Sequence, residues 1–443
     1  MLKSEYKATL RLGLPIAVGQ LGVIIMGFAD TMMVGHFSTN SLAAASFANA
    51  LFNLITYFLL GYSYGLTPLV SSLFGRGLRS EAGGTLKHGL AANVGFSLVL
   101  MLIMTAVYFC LPYMGQPKEI LPLVRPYYLC LLVSMLFVAL FNAARQFTDA
   151  VTDTSVGMAA ILSCNAINIL GNWLLIYGVG PFPELGLTGA GISTAFSRLC
   201  MALFVLAVIA LRKRYATFRA GFRTIPFRWG TLREVNSKSF PVSLQMGMES
   251  GAFTFSGIMA GWLSAIDLAT FQVMVTVGTL GFLLYYSFGA SMSIRVAAAY
   301  GQRDWEGVRR ASRAGCHILV AMCILSSLIF FFLGEYVIRC FSSDPAVIML
   351  AVSLIPPLIL YQLGDAMQIC YSNALRGTGQ VRPVMWIAFV SYVLVNVPIA
   401  YLFAFVWHMG SMGIFLAFSV GLFTAACLFR ASYRKALKRE GAL

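Results

Sequence analysis

Apolar runs of about twenty residues recur along the chain, and that length crosses a bilayer as one helix. Twelve such runs are centred near residues 23, 59, 101, 136, 168, 200, 248, 282, 324, 361, 395 and 421. A chain written this way is expected to fold as an all-α integral membrane protein with twelve transmembrane helices. Only 11% of its residues are charged, against about 25% in soluble domains. The formal charge of +15 does not point to nucleic acid, because the basic residues sit in short gaps between apolar runs rather than on one face of a soluble fold. The first run follows Lys3, Lys7 and Arg11 but continues through Asp30 to Val34. That exceeds the roughly 7–15 apolar residues of a signal peptide, so it reads as a retained first helix.

The basic residues also set an orientation. With the amino terminus in the cytoplasm, the Lys and Arg of alternate gaps and of the carboxyl-terminal tail fall on the cytoplasmic side. Lys118, Arg125 and Arg339 fall outside, and Arg198 lies within the sixth helix. This asymmetry predicts a multi-pass protein of the inner or plasma membrane with both termini cytoplasmic.

The chain repeats itself at a constant offset of 226 residues. Pro15 matches Pro241, Gly35 matches Gly261, Ser38 matches Ser264, Leu42 and Ala43 match Leu268 and Ala269, Leu54 matches Leu280, and Gly75 matches Gly301. Near the ends of the halves the offset drifts, yet Asn168 still pairs with Asn396, and Gly191 and Ile192 recur as Gly413 and Ile414. Six helices per half is an even number, so both copies insert the same way up. The expected architecture is two six-helix lobes related by a parallel pseudo-two-fold repeat about a central cleft. The lobes are assigned to residues 1–215 and 235–443, with a cytoplasmic basic linker over 216–234 that meets anionic lipid headgroups.

Against this apolar background three carboxylates stand out: Asp30 in GFADTMMVGHFS, Glu249 in QMGMESGAFTF and Asp365 in YQLGDAMQICYSNALRGTGQ. A charge at the centre of a membrane helix costs roughly 2.5–3.5 kcal/mol, so such residues face internal cavities and act there. A buried carboxylate either takes up a proton or binds a cation such as Na⁺, and either event couples an ion to a conformational change. The alternative is a structural polar knot, for which Arg198 is the one buried basic partner the sequence offers. The offset places Ser256 opposite Asp30 and Val23 opposite Glu249, so the lobes are chemically unequal. Asn168 and Asn172 lie four apart on one helix face, where their amides can coordinate a cation, bond a ligand or bond a neighbouring helix. Tyr361 shares the face of Asp365, placed to stack on an aromatic or cationic ligand or simply to pack.

Other chemistries find no support. Nine cysteines are scattered singly without a CxxC pair, which reads as packing rather than disulfides or ligands. No GxxxxGK[ST] or HExxH occurs, and no acid-base constellation of an enzyme is found.

The motifs GFADTMMVGHFS, NAINILGNWLLIYG, PVSLQMGMES, SIRVAAAYGQRD and YQLGDAMQICYSNALRGTG together resemble the multidrug and toxic compound extrusion (MATE) transporters, in their NorM-like branch, over almost the whole chain. The resemblance implies secondary antiport, in which Na⁺ or H⁺ enters while an amphipathic, mostly cationic organic compound leaves. It implies coupling through Asp30, Glu249 and Asp365, with Na⁺ at Glu249 and Asp365 as the only metal considered. Asn168, Asn172, Arg198, Tyr361 and Gln272 are expected to line the polar cavity. Phe271 and Met248 depart from the family pattern, which often has a histidine and an aromatic there. No cofactor beyond the coupling ion is expected, and the partners are organic cations and membrane lipids, not nucleic acid, with the chain a monomer. A flippase for lipid-linked oligosaccharides shares the wider fold but would be expected to line its cleft with several basic residues. A membrane-integral enzyme is the remaining alternative.

Overall fold

The computed structural model describes residues 2–115, 117 and 119–440. Lys118, one of the three basic residues assigned to the outer side, lies outside the described residues. Among those described there is no strand. In chain order the helices are α1 (Leu2–Phe37), α2 (Thr39–Tyr64), α3 (Leu66–Gly75), α4 (Arg79–Cys110), α5 (Leu121–Ala150), α6 (Thr154–Ile176), α7 (Gly186–Leu211) and α8 (Ala216–Thr224). They continue as α9 (Trp229–Leu263), α10 (Ala265–Gly301), α11 (Trp305–Arg339), α12 (Pro345–Ser353) and α13 (Ile355–Gly377). The segment over 382–406 is α14 (Arg382–Ala388), a π-helical stretch (Phe389–Asn396), α15 (Val397–Tyr401) and a second π stretch (Leu402–Val406), and α16 (Gly410–Arg439) follows.

Among the described residues ten helical spans are long and apolar enough to cross a membrane, and α12 with α13, bent by 50°, makes an eleventh. The twelfth expected crossing is α9, 35 residues long. Its glycines, serines and Glu249 leave it less apolar than the others, as a helix that houses polar chemistry must be.

The repeat appears as matching breaks in the backbone. Ser38 caps α2 by accepting from the Ser41 amide, and its counterpart Ser264 caps α10 by accepting from the Asp267 amide; such caps contribute about 1 kcal/mol each. The helices end at the matched Gly75 and Gly301, and the turns that follow use left-handed backbone at the matched Gly77 (φ 78) and Arg303 (φ 59). The copies also differ. Copy one breaks at Gly65, where a Cβ would lie 2.3 Å from the Ser239 Cα, so only glycine lets α9 pass this close. The regular 23-residue α6 corresponds to the 25-residue segment 382–406 with its two π stretches.

Two compact units form, Val18–Ser243 and Met1–Ala17 together with Leu244–Leu443. These differ from the boundaries expected at 215 and 235. The linker runs directly into α9, whose first turns belong to the first unit: Tyr62 donates to Asn236, and the Ser243 hydroxyl donates to the Phe58 carbonyl over 2.7 Å. Conversely, the start of α1 packs within the second unit. There Arg295 pairs with Glu5 and donates to Thr9 Oγ1 at 2.6 Å, and the Tyr6 hydroxyl meets His317 Nδ1 at 2.6 Å. The core of the first unit gathers Phe52, Leu59, Met104, Tyr128 and Phe147, and that of the second Tyr285, Tyr392, Phe415, Phe418 and Phe429, all buried. Nor are the cysteines all solitary. The packing of α11 on α13 brings Cys316 and Cys370 to a Cα separation of 5.5 Å, and they are joined, a pairing set by helix packing that sequence spacing does not announce.

Candidate cation and substrate sites

In the second unit α13 presents a polar stripe on its buried side: Tyr361, Asp365, Gln368, Ser372 and Arg376, spaced by three or four residues. Asp365 is only 4% exposed, and the Tyr285 hydroxyl of α10 donates to its Oδ2 over 2.7 Å. From α9 the half-buried Glu249 reaches the same place. The Gln368 amide Nε2 spans the two acids, 3.4 Å from Glu249 Oε1 and 3.5 Å from Asp365 Oδ1. The structure therefore brings together Glu249 and Asp365, which lie 116 positions apart in the chain. Neither carboxylate enters an ion pair among the described residues. Gln368 Oε1, beside them, is buried without a partner, and the first π stretch carries further buried polar atoms without one, Ser391 Oγ and both amide atoms of Asn396. Tyr392 of the same stretch lies beside Glu249. Two carboxylates spanned by one amide, whose own oxygen is free, suit a small cation or a shared proton.

The expectation of one buried basic residue needs correction. Arg376 is 7% exposed, donates to Gln245 Oε1 over 2.6 Å and acts electrostatically on Glu249. It occupies the last turn of α13, where the apolar run had already given way to a gap, so the sequence assigned it to a loop. With Arg376 included, the ionised site of the second unit carries one net negative charge rather than two. Arg145 is buried likewise, in α5, and pairs with Asp149 at 3.6 Å.

In the first unit Asp30 of α1 accepts from Asn172 Nδ2 at 2.5 Å, and the same nitrogen lies 3.4 Å from Asn168 Oδ1. Asn168 in turn donates to Thr194 Oγ1 of α7 at 3.4 Å. Both asparagines are fully buried, and Asn172 Oδ1 has no partner. Arg198, one turn beyond Thr194, donates to Ser134 Oγ at 2.6 Å and lies 4.6 Å from the centre of the Phe52 ring. It also acts electrostatically on Asp30, so Asp30 and Arg198 offset each other within this unit.

Of the remaining expected residues, Tyr361 stands on the same stripe as Asp365 and Gln272 does not. Tyr361 is buried with its ring 6.4 Å from Phe253 and 6.1 Å from Phe418, which makes it a wall of the second unit's core rather than an open stacking surface. Gln272 is exposed on α10, thirteen residues before Tyr285, or about 20 Å along the helix axis. It stands apart from the acid pair, while its neighbour Phe271 is buried against Phe415 and Phe418. Tyr285, Arg376, Thr194 and Ser134 were not anticipated, since each is placed by tertiary packing. Gln368 could have been, because it follows Asp365 by three on one face. A further polar cluster ties the turn between α5 and α6 to the short segment after α7: Asp153 accepts from the Tyr215 hydroxyl at 2.8 Å and pairs with Arg214 at 3.4 Å. Burial first, then the Asp153 carboxylate, pushes the Tyr215 hydroxyl up from its ordinary range. No group of three or more His, Cys, Asp or Glu capable of holding a metal occurs among the described residues.

The MatE family model matches residues 15–174 and again 241–402, two matches that begin 226 residues apart, as the internal repeat does. The chain is 28% identical to the multidrug resistance protein NorM of Photobacterium profundum, over 96% of this chain and 94% of that one. It is 27% identical to a probable multidrug resistance protein NorM of Geobacillus kaustophilus, over 98% and 96%. Among solved structures, the eukaryotic MATE transporter AtDTX14 has the same fold, with a TM-score of 0.88 at 21% identity and 99% of both chains covered. A MOP superfamily transporter from Pyrococcus furiosus matches with a TM-score of 0.88 at 20% identity, over 99% of this chain and 97% of that one.

Proposed function

The chain belongs to the MatE family, and from that premise we propose that it is a secondary multidrug efflux transporter that exports amphipathic organic cations in exchange for Na⁺ or H⁺. The observation that carries this reading is the pair Glu249 and Asp365, held together by Gln368 inside a membrane-crossing bundle with no ion-paired partner among the described residues. Two carboxylates this close in a low-dielectric site repel each other when both are ionised, and a proton or Na⁺ relieves that repulsion. The unpartnered oxygen of Gln368 supplies a further ligand. With one net negative charge left after Arg376, the second unit favours a cation over an anion. Competition between ion and drug for that charge is then the coupling step. Ion binding displaces the organic cation in the conformation open to the outside.

Asp30, with Asn172, Asn168 and Thr194, forms a second polar site, which we assign to proton or substrate handling. Arg198, fixed by Ser134 and Phe52, holds the field at Asp30 steady rather than meeting the drug. The chain acts as a monomer in the inner or plasma membrane, with both termini in the cytoplasm where the basic gaps lie.

The test is flux of a fluorescent cation such as ethidium in proteoliposomes, under a Na⁺ gradient at equal pH and then under a pH gradient without Na⁺. One gradient should drive export, and Glu249→Gln and Asp365→Asn should each abolish it. Export at the wild-type rate in both well-expressed variants would refute the assignment. Flux independent of both gradients would refute antiport itself.

A further inference from the structure

The second unit also carries a groove whose lining includes none of the acid-pair residues. Between α13, the second π stretch and α16 runs a groove of about 700 Å³, lined by Leu360, Phe403, Leu416, Val420, Phe423 and Thr424. That volume falls within the roughly 300–1,000 Å³ of ordinary ligand sites. Its two hydroxyls are already engaged by the backbone of their own helix. Ser419 Oγ donates to the Phe415 carbonyl at 3.3 Å and Thr424 Oγ1 to the Val420 carbonyl at 2.8 Å. The groove thus presents hydrocarbon and no directed polar group, a lining that suits an acyl chain and offers nothing to orient a polar drug.

The groove leads to charge. On α16 its lining recurs every three or four residues, at Leu416, Val420, Thr424 and Cys427, and the same exposed face continues into Ala431, Arg434 and Lys438. Arg430 flanks it, with its guanidinium 6.0 Å from the centre of the Tyr371 ring. Tyr371 follows Leu360 on α13 by eleven residues, three helical turns, so the groove and the arginine share one side of the α13/α16 pair. Arg430, Arg434, Lys435 and Lys438 are exposed, and none is in an ion pair among the described residues. Hydrocarbon inside the membrane, running into unpaired cations at its surface, has the polarity of one molecule.

We propose that this face binds a phospholipid with an anionic headgroup, one acyl chain lying in the groove and the phosphate held by Arg430 and Arg434. A cationic drug would be repelled by the same cluster, and a second copy of the chain would bring like charges face to face.

Native mass spectrometry of the detergent-solubilised protein, with phosphatidylglycerol or phosphatidylcholine of matched chains added, tests this. Phosphatidylglycerol should be retained in preference, and the exposed double variant Arg430→Gln/Arg434→Gln should lose that preference by roughly tenfold or more. Thr424→Trp, which fills the groove, should lower retention of both lipids. Equal retention of the two lipids by the wild type, retention unchanged in both variants, release of bound phosphatidylglycerol by ethidium, or a dimer in place of the lipid adduct would each overturn the proposal.

Discussion

The amide of Gln368 offers the sharpest test of how the acid pair works. Replacing it by leucine keeps the bulk and removes both the nitrogen that spans the carboxylates and the unpartnered Oε1. Hydrogen bonds to charged groups contribute about 1.5–3 kcal/mol when short. The contacts here, 3.4 and 3.5 Å, lie beyond the usual span of about 2.7–3.2 Å, so about 1 kcal/mol each is the better figure. Together they amount to about 2 kcal/mol, or roughly thirtyfold in an equilibrium constant. Because the amide holds the two acids at the spacing an ion needs, Gln368→Leu should raise the ion concentration for half-maximal export by about that factor. The maximal rate at saturating ion should fall far less. The measurement is the ion dependence of ethidium flux in proteoliposomes at fixed drug, with the amount of inserted protein determined for each variant. A half-saturation within about threefold of wild type, less than 1 kcal/mol, would refute a positioning role for the amide.

Gly65→Ala should lower the unfolding temperature in detergent, since its Cβ would meet backbone atoms of Ser239 at 2.3–2.6 Å and overpacking costs about 1–3 kcal/mol. Gly95→Ala, with nothing within 4 Å, should raise it, by up to about 1 kcal/mol of helix propensity; thermal unfolding that ranked the two the other way would be decisive against the close approach. Arg303→Gly should stabilise by about 0.5–1 kcal/mol, because the left-handed turn at φ 59 then bears no Cβ, and a lower unfolding temperature would count against that backbone. Single cysteines at Arg223 and His408, both exposed, should label from opposite sides of the membrane, and labelling from one side would overturn the orientation.

What the sequence made legible was whatever repeats or runs along one helix. Apolar length located twelve crossings, α9 with its polar residues among them, and the repeat matched Ser38 to Ser264, which cap two helices in the same way. Asp30, Glu249 and Asp365 were conspicuous because charge is costly among apolar neighbours. What stayed hidden depends on which helix faces which. Tyr285 meets Asp365 across 80 positions, and no local pattern in α10 marks that tyrosine out from its neighbour Tyr286. Arg376 looked like a loop residue because α13 extends past its apolar run. Gln272 was carried by similarity to neighbouring positions in a family, and the local geometry of α10 turns it elsewhere. The division inside α1 was equally invisible, since a continuous helix gives no sign that its first turns pack with a distant part of the chain.

The π stretches of the segment 382–406 have a consequence for how two copies of one sequence came to differ. A π turn arises when a residue is added to an α-helix and the chain bulges to keep its ends in place. The segment has 25 residues where α6 has 23, and it contains two π stretches. A bulge takes up the extra residue locally, so the residues beyond it keep their face instead of turning by about 100° round the helix axis. A duplicated helix can in this way lengthen without losing the buried side it inherited. Asn396 accordingly stays as buried as its counterpart Asn168, now with both amide atoms unpartnered: a longer helix that still points the same amide inward.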